Sequence, residues 1–433
     1  PEESGTFDLA LIRIRSERQH DRIGSLVINP GGPGGSGIEA AVLLTFGPLF
    51  GGLSHAVTER FDIVGFDPRG VGRSSPVRCY TDEEMDQTFA ADPDPDTEEE
   101  FEAALADSRR VAQRCGERYG EALSYISTEQ TARDLEAIRE AVGDEKLTYL
   151  GYSYGTLLGA VYAHLYPTRV RAMVLDGAID PREDPVTASE TQAVGFERAF
   201  DNFAGWCART PEECPLGSDA RAVVEAALER ARTSPVRGED GREAGAGWVF
   251  WAVIATLYTQ DRWPELARAL DRFNSGDASG VFSLADAYTQ RDADGSYPNL
   301  FDVNTVVNCA DGGADVTVEQ VRELQDRWRR EYPLFGAPIA VGMLSCAVWP
   351  AKTDPYPSGP AAGAPPILVI GTTGDPATPY EQTAELAELL GVGVVLTYNG
   401  EGHTVYPADS CVNEVVDAYL IDLRVPPAGT ECG

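Results

Sequence analysis

Residues 146–156 read Lys-Leu-Thr-Tyr-Leu-Gly-Tyr-Ser-Tyr-Gly-Thr, and Gly151-Tyr152-Ser153-Tyr154-Gly155 within them fits G-x-S-x-G. An apolar run, Leu147 to Leu150, precedes the motif, and a helical run, Thr156 to Tyr166, follows it. That context predicts a strand, a sharp turn and a helix, with Ser153 at the turn. Glycines on both flanks let the two backbones approach closely and let the serine hold strained dihedrals. Ser153 Oγ is then expected above the carboxyl edge of a sheet, at the positive end of the following helix. The chemistry such a group performs is nucleophilic attack on an acyl carbon. A glycine-rich turn with an incidental serine is the bland alternative.

A serine hydroxyl needs a base near neutral pH. The chain has 4 histidines: His20, His55, His164 and His403. His164 falls on the helix after Ser153, about 16 Å along an ideal helix. His20 and His55 precede strands. His403, in Asn399-Gly400-Glu401-Gly402-His403-Thr404, comes directly after the last expected strand and follows the serine in chain order, so it is the candidate base. The base needs a carboxylate to set its tautomer. Asp375 in Gly371-Thr372-Thr373-Gly374-Asp375-Pro376 lies just past an apolar strand and is the preferred acid; Asp176, after Val170–Leu175, is the rival. The order Ser, Asp, His excludes Asp67. A tetrahedral oxyanion needs two N–H donors. Tyr154 supplies one, and Gly32, in the glycine-rich run Pro30–Gly37, is the expected second.

The same run also satisfies G-x-G-x-x-G after a strand, which raises a dinucleotide-binding alternative. That fingerprint wants an acidic residue about 20 positions on, at the end of the next strand. Here the next strand ends at Asp67, too far away, and Pro33 removes a donor inside the motif. No cofactor is therefore expected.

The elements that must carry these residues alternate. Phe7–Arg15, Gly24–Asn29, Phe61–Phe66, Val170–Leu175, Ile367–Gly371 and Val392–Leu396 read as strands. Ile38–Phe46, Thr128–Val142, Tyr380–Leu390 and Cys411–Leu423 read as helices. Asp92–Glu100, acidic and Pro-containing, reads as a surface loop. Between Pro181 and about Gly363 helices dominate: Glu190–Trp206, Ala220–Thr233, Trp248–Tyr258, Pro264–Phe273 and Val318–Glu331. The expected organisation is an α/β core of mostly parallel strands in two pieces, 1–182 and 363–433, with a helical lid, 183–362, between them. Ligands bind such sheets at the strands' carboxyl ends, so the lid is expected over Ser153.

Composition is that of a globular chain: 433 residues, 43% apolar and 24% charged. No apolar run reaches membrane-spanning length, so no membrane insertion is expected. The chain starts at Pro1 with no signal-like apolar segment, as expected of numbering that begins after processing. Lys+Arg 35 against Asp+Glu 69 gives a net charge of −34, which repels nucleic acid. The 8 cysteines are scattered, with no C-x-x-C and too few histidines for a zinc site. No metal is expected. Full pairing as disulfides in an exported protein is, with Cys207–Cys214 favoured by proximity. Oligomeric state is not legible.

Taken as a set, Asn29–Gly37, Gly65-Phe-Asp-Pro-Arg-Gly-Val-Gly-Arg-Ser74, Gly151–Thr156, Leu175-Asp-Gly177, Gly374-Asp-Pro-Ala-Thr-Pro379 and Gly402-His403 resemble the secreted tripeptidyl aminopeptidases of actinobacteria. These are α/β-hydrolases related to prolyl iminopeptidases. The resemblance runs from about residue 7 to 425. It implies a helical lid, export, and release of short peptides from free peptide N-termini. It also maps Ser153, Asp375 and His403 onto the family's triad, and Gly32 and Tyr154 onto its oxyanion hole. An exopeptidase must hold a free amine. Val307-Asn308-Cys309-Ala310-Asp311 fits a recurrent family segment, making Asp311 the candidate substrate-binding carboxylate. A carboxylesterase or amidase with the same triad, and a non-catalytic module on the same fold, are the alternatives.

Overall fold

The computed structural model describes residues 6–312 and 315–433. Eight strands form one sheet: β1 (Leu11–Ile14), β2 (Gly24–Asn29), β3 (Phe61–Phe66), β4 (Leu147–Tyr152), β5 (Val170–Asp176), β6 (Ile367–Gly374), β7 (Gly393–Glu401) and β8 (Thr430–Cys432). Their spatial order is β1-β3-β2-β4-β5-β6-β7-β8. Only the β1–β3 pair is antiparallel. The inner strands are apolar on both sides because both faces are covered. Leu26, Ile28, Ile63, Leu150, Val174, Leu368 and Ile370 enter one core. Their neighbours Val27, Val64, Tyr149, Met173, Leu175 and Val369 enter the other.

The helices that place the site begin where caps are written in the sequence. Ser36 caps α1 (Gly37–Leu44), accepting the Glu39 N–H. Ser127 caps α2 (Thr128–Val142), which ends at Gly143 in the left-handed region. Helix α3 (Tyr154–Leu165) starts at the serine turn and is buried along most of its length. One stretch departs from the sequence expectation. The loop expected over Asp92–Glu100 ends early, because Thr97 and Glu100 form a capping box that opens a 22-residue helix, Glu98–Tyr119. A second capping box, Thr81 with Glu84, opens another helix at Asp82. Both helices pack on the helical region: Phe89 meets Trp248, Trp251 and Phe301, and Phe101 and Leu105 join a cluster with Val321 and Trp328.

The helices between Pro185 and Thr289 share an aromatic core of their own around Phe200, Phe203, Trp263, Phe273 and Phe335, while Leu300–Ala310 packs on the sheet side and Val318–Glu331 in a separate cluster. Three helices of this region matter for the site: α4 (Pro185–Arg209), α5 (Ala246–Leu257) and α6 (Leu300–Ala310). Each touches a loop at the carboxyl end of the sheet. The α6 backbone at Leu300 lies against Gly34, where a side chain would have no room. Asn299, just before α6, donates to the Gly70 and Val77 carbonyls and accepts the Gly72 N–H. On α4, Asn202 donates to Glu401. No described helix is long and apolar enough to cross a membrane.

All eight cysteines are bonded, as Cys79–Cys115, Cys207–Cys214, Cys309–Cys346 and Cys411–Cys432. Alkylation of the denatured, unreduced protein is therefore expected to add no mass. Cys309–Cys346 closes a separation of 37 residues and ties the end of α6 to the helix Leu344–Ala347. Replacing both by Ala is expected to lower stability by about 4 kcal/mol, through the freed unfolded chain. A denaturant midpoint unchanged from the parent would contradict this.

Candidate active site

Strand β4 and helix α3 meet at Ser153, whose dihedrals are φ 53 and ψ −124. A non-glycine residue there is strained, and the surroundings must hold it. They do so from three sides. The Ser153 N–H donates to the Asp176 carbonyl (2.9 Å), the Thr156 N–H and hydroxyl both donate to the Ser153 carbonyl (2.8 and 2.7 Å), and the Tyr149 phenol holds the Gly155 carbonyl (2.8 Å). Gly151 and Gly155 are required sterically, since a Cβ on Gly155 would lie 2.8 Å from the Asn29 carbonyl oxygen.

The glycine-rich loop after β2 lies directly against this turn. Gly31 has φ +91, and a Cβ there would meet the Tyr152 carbonyl oxygen at 2.5 Å and the Tyr154 nitrogen at 3.1 Å. Asn29 Oδ1 accepts the Gly31 N–H (3.0 Å) and so fixes where the loop turns. Gly32, next along, is exposed, with φ +111. Tyr154 is the first residue of α3, so its N–H has no acceptor within the helix. Gly31 is thus the loop residue packed against the Tyr152–Tyr154 backbone, and Gly32 stands one position further along.

His403 follows β7. Its Nδ1 donates to Asp375 at 2.9 Å from each carboxylate oxygen. Asp375 is fully buried, and the loop after β6 wraps it: the Ala377 and Thr378 N–H groups and the Thr378 hydroxyl all donate to it (2.9, 2.9 and 3.0 Å). Burial disfavours charge on His403, but the Asp375 carboxylate outweighs burial, assisted by Asp176, and the imidazole pKa is raised. Gly177, in the left-handed region at φ +76, makes room for the imidazole: a Cβ there would lie 3.1 Å from His403 Cε1. Ser153 and His403 thus flank the Asp176–Gly177 pair.

Asp176, the rival acid, is also fully buried but faces elsewhere. Its Oδ2 accepts the Val405 and Tyr406 N–H groups (2.9 and 2.8 Å), and Oδ1 has no partner. Burial pushes its carboxyl up to about 6 against those two bonds. Its carbonyl holds Ser153 while its side chain holds the residues after His403, so it braces the two loops against each other. Asp176→Ala is expected to leave two buried N–H groups without acceptors, at about 1–3 kcal/mol each. A lowered denaturant midpoint together with a lowered kcat is the expected reading. Asp67 accepts the Ser36 hydroxyl (2.6 Å) and the Arg73 N–H (3.0 Å), a loop-holding role. His164 bonds the Pro360 carbonyl, and His20 and His55 are exposed, far from strand carboxyl ends.

Asp311 caps the carboxyl end of α6. Its two oxygens accept the Thr128 N–H (2.8 Å) and hydroxyl (2.6 Å), and that hydroxyl is 2.6 Å from the Tyr154 phenol oxygen. Burial pushes Asp311 up to about 7, against the two Thr128 bonds. Tyr356 stands beside it: burial first, and then the charges of Asp311, Asp180 and Glu183, raise the phenol pKa. Burial likewise raises Glu183, one of whose oxygens is buried without a partner. Among the described residues no basic side chain pairs with Asp311 or Glu183. Glu183, Thr378 and Asn29 were not singled out by sequence reasoning. The Thr378 signal was available, as the third residue after Asp375 in a loop that must wrap a carboxylate.

The family profile described as alpha/beta hydrolase fold matches residues 24–408. The serine protease Hip1 of Mycobacterium tuberculosis (strain ATCC 25618 / H37Rv) is 41% identical over 98% of this chain and 83% of its own length. A protein of the same strain named carboxylesterase B is 38% identical, over 98% of this chain and 82% of its own. A tripeptidyl aminopeptidase of Streptomyces lividans is 34% identical, over 96% of this chain and 78% of its own.

Proposed function

The chain belongs to the α/β-hydrolase family, with the tripeptidyl aminopeptidases among its relatives, and is a serine hydrolase; from that premise we propose that it removes short peptides, tripeptides in the first instance, from free peptide N-termini. In this reading His403 Nε2 takes the proton from Ser153 Oγ as the oxygen attacks the scissile carbonyl. The Tyr154 and Gly32 N–H groups receive the developing oxyanion. His403 then passes its proton to the leaving amine, and Asp375 holds the imidazole in the tautomer both steps need. Water repeats the sequence on the acyl-enzyme. Four disulfides support a working place outside the cytosol.

The observation that carries the exopeptidase reading is the Asp311 carboxylate. It has no cationic partner, and one threonine hydroxyl links it to Tyr154, the residue after the nucleophile. A peptide ammonium fits such a group with a charge-assisted bond of roughly 1.5–3 kcal/mol. Acetylating the substrate amine is therefore expected to lower kcat/KM at least about tenfold. Asp311→Asn should erase most of the difference between a tripeptidyl amide and its N-acetyl twin. Equal kcat/KM for the two substrates in the parent enzyme would refute the reading.

The pH profile separates the two substrates as well. His403 must be neutral to act as base, and its raised pKa sets the acid limb above the value of a free histidine, about 6.5. Asp311, pushed up to about 7, must also lose its proton to hold an ammonium. The acid limb of kcat/KM is expected to be steeper, by one proton, for the free-amine substrate than for its acetylated twin. A carboxylesterase is the second reading. The 38% identity to the protein named carboxylesterase B favours it. Faster turnover of short acyl esters, indifferent to Asp311→Asn, would support it.

A further inference from the structure

The helical region does more than cover the site, because its backbone enters the loop that carries His403. Helix α5 ends at Leu257, and the next residue, Tyr258, accepts the His403 N–H on its carbonyl at 2.9 Å. Thr259 forms an antiparallel bridge with Gly402. Gly402 has φ +112, and a Cβ there would stand 2.8 Å from the Tyr258 carbonyl oxygen, so glycine is what permits the approach. The Tyr258 ring then meets the His403 ring at 88°, with centroids 5.2 Å apart. Other rings hold the phenol in turn. Its hydroxyl is 3.3 Å from the Tyr288 hydroxyl, Phe196 lies 6.0 Å away, and Tyr288 stacks on Trp251 at 5.7 Å.

Asp375 grips the imidazole only at Nδ1. A ring held at one atom can still tilt, and a tilt moves Nε2 away from the serine oxygen. Gly177 limits the imidazole at its Cε1 edge, and Tyr258 meets the ring at right angles. Burial holds the Tyr258 phenol protonated well above the ordinary tyrosine range, with Tyr288 and Asp375 adding to the effect, so it exchanges no proton near neutral pH. We propose that Tyr258 is a positioning residue for His403: its carbonyl fixes the height of the loop, and its ring fixes the plane of the imidazole. The inference rests on His403 being the base.

The test compares Tyr258→Phe and Tyr258→Leu in the full chain. Tyr258→Phe keeps the ring and should leave kcat within about twofold. Tyr258→Leu removes it while keeping the backbone carbonyl. Because angstrom-scale misplacement of a catalytic group costs on the order of 100-fold, kcat should fall about 10–100-fold with KM little changed. The rate at which a serine-directed phosphonate labels Ser153 should fall with kcat, and the melting temperature reports folding separately. If Tyr258→Leu folds poorly, Tyr258→Met, longer, unbranched and better able to fill an irregular gap, takes its place. Parental kcat in Tyr258→Leu overturns the proposal. So does a Tyr258→Phe variant as slow as Tyr258→Leu, which would assign the effect to the hydroxyl pair with Tyr288. His403→Ala separates the two levels of the argument. If it stays active, the reading of the site fails; if it is inactive while Tyr258→Leu is normal, only the role of Tyr258 fails.

Discussion

Ser153→Ala is expected to lower kcat by about a millionfold, to the level left by binding and the oxyanion donors alone. The size follows from the chemistry. Without Oγ there is no acyl-enzyme, and His403 has no proton to accept from the protein. The fold should survive, because the elbow's supports are backbone groups that alanine also has: the Ser153 N–H to Asp176 and the Ser153 carbonyl to Thr156. The expected record is thus an unchanged melt, lost turnover, and lost labelling by a phosphonate that modifies the parent protein at Ser153 only. Labelling of another serine in the parent would move the nucleophile elsewhere.

Asp375→Asn should have the second largest effect, about a 10,000-fold fall in kcat. An amide of the same shape fits the same loop and can still accept the Ala377 and Thr378 N–H groups on its one oxygen. Its NH2 group, however, presents a donor where His403 Nδ1–H needs an acceptor. The imidazole then takes the other tautomer, with its proton on Nε2, and cannot accept one from serine. Asp176→Asn is the matched comparison. It changes a carboxylate equally buried and in the same region, but one that bonds the Val405 and Tyr406 N–H groups instead of the imidazole. Its loss in kcat should be smaller by orders of magnitude, and the acid limb of the pH profile should remain. The reverse ranking of the two variants would make Asp176 the acid.

Much of the architecture is legible from local patterns. Gly24–Asn29 and Phe61–Phe66 are short, mostly apolar runs, and both are strands with those bounds. Ala220–Thr233 and Val318–Glu331 follow Asp219 and Thr317 and show helical periodicity, and both are helices with those bounds. Strand β7 ran further than expected, to Glu401, because Tyr398 and Glu401 still pair with β6 although their sequence looks like a loop. The helices Asp82–Ala90 and Glu98–Tyr119 escaped notice because acidic side chains fill their first turns and mask the apolar spacing. Their capping boxes were the signal to use.

By itself, the sequence determined that a serine sits on a strand–turn–helix, that an aspartate and a histidine each follow a later strand, and that glycines line the first loop. These properties depend on neighbours within a few positions, through dihedral preferences, caps and alternation. Only the tertiary structure decided which carboxylate meets the imidazole. Asp176 and Asp375 are local equivalents, an aspartate at or just past a strand's carboxyl end. The order β4-β5-β6-β7 and the Thr378 turn bring one to Nδ1 and leave the other bracing the backbone. The same holds for Tyr258 and Asp311. Nothing near Tyr258 marks it, and Asp311 is marked only by the family segment it closes; each acquires its neighbours from a helix docked on parts of the chain far away, and contacts of that kind are set by the packing of whole elements, not by any local pattern.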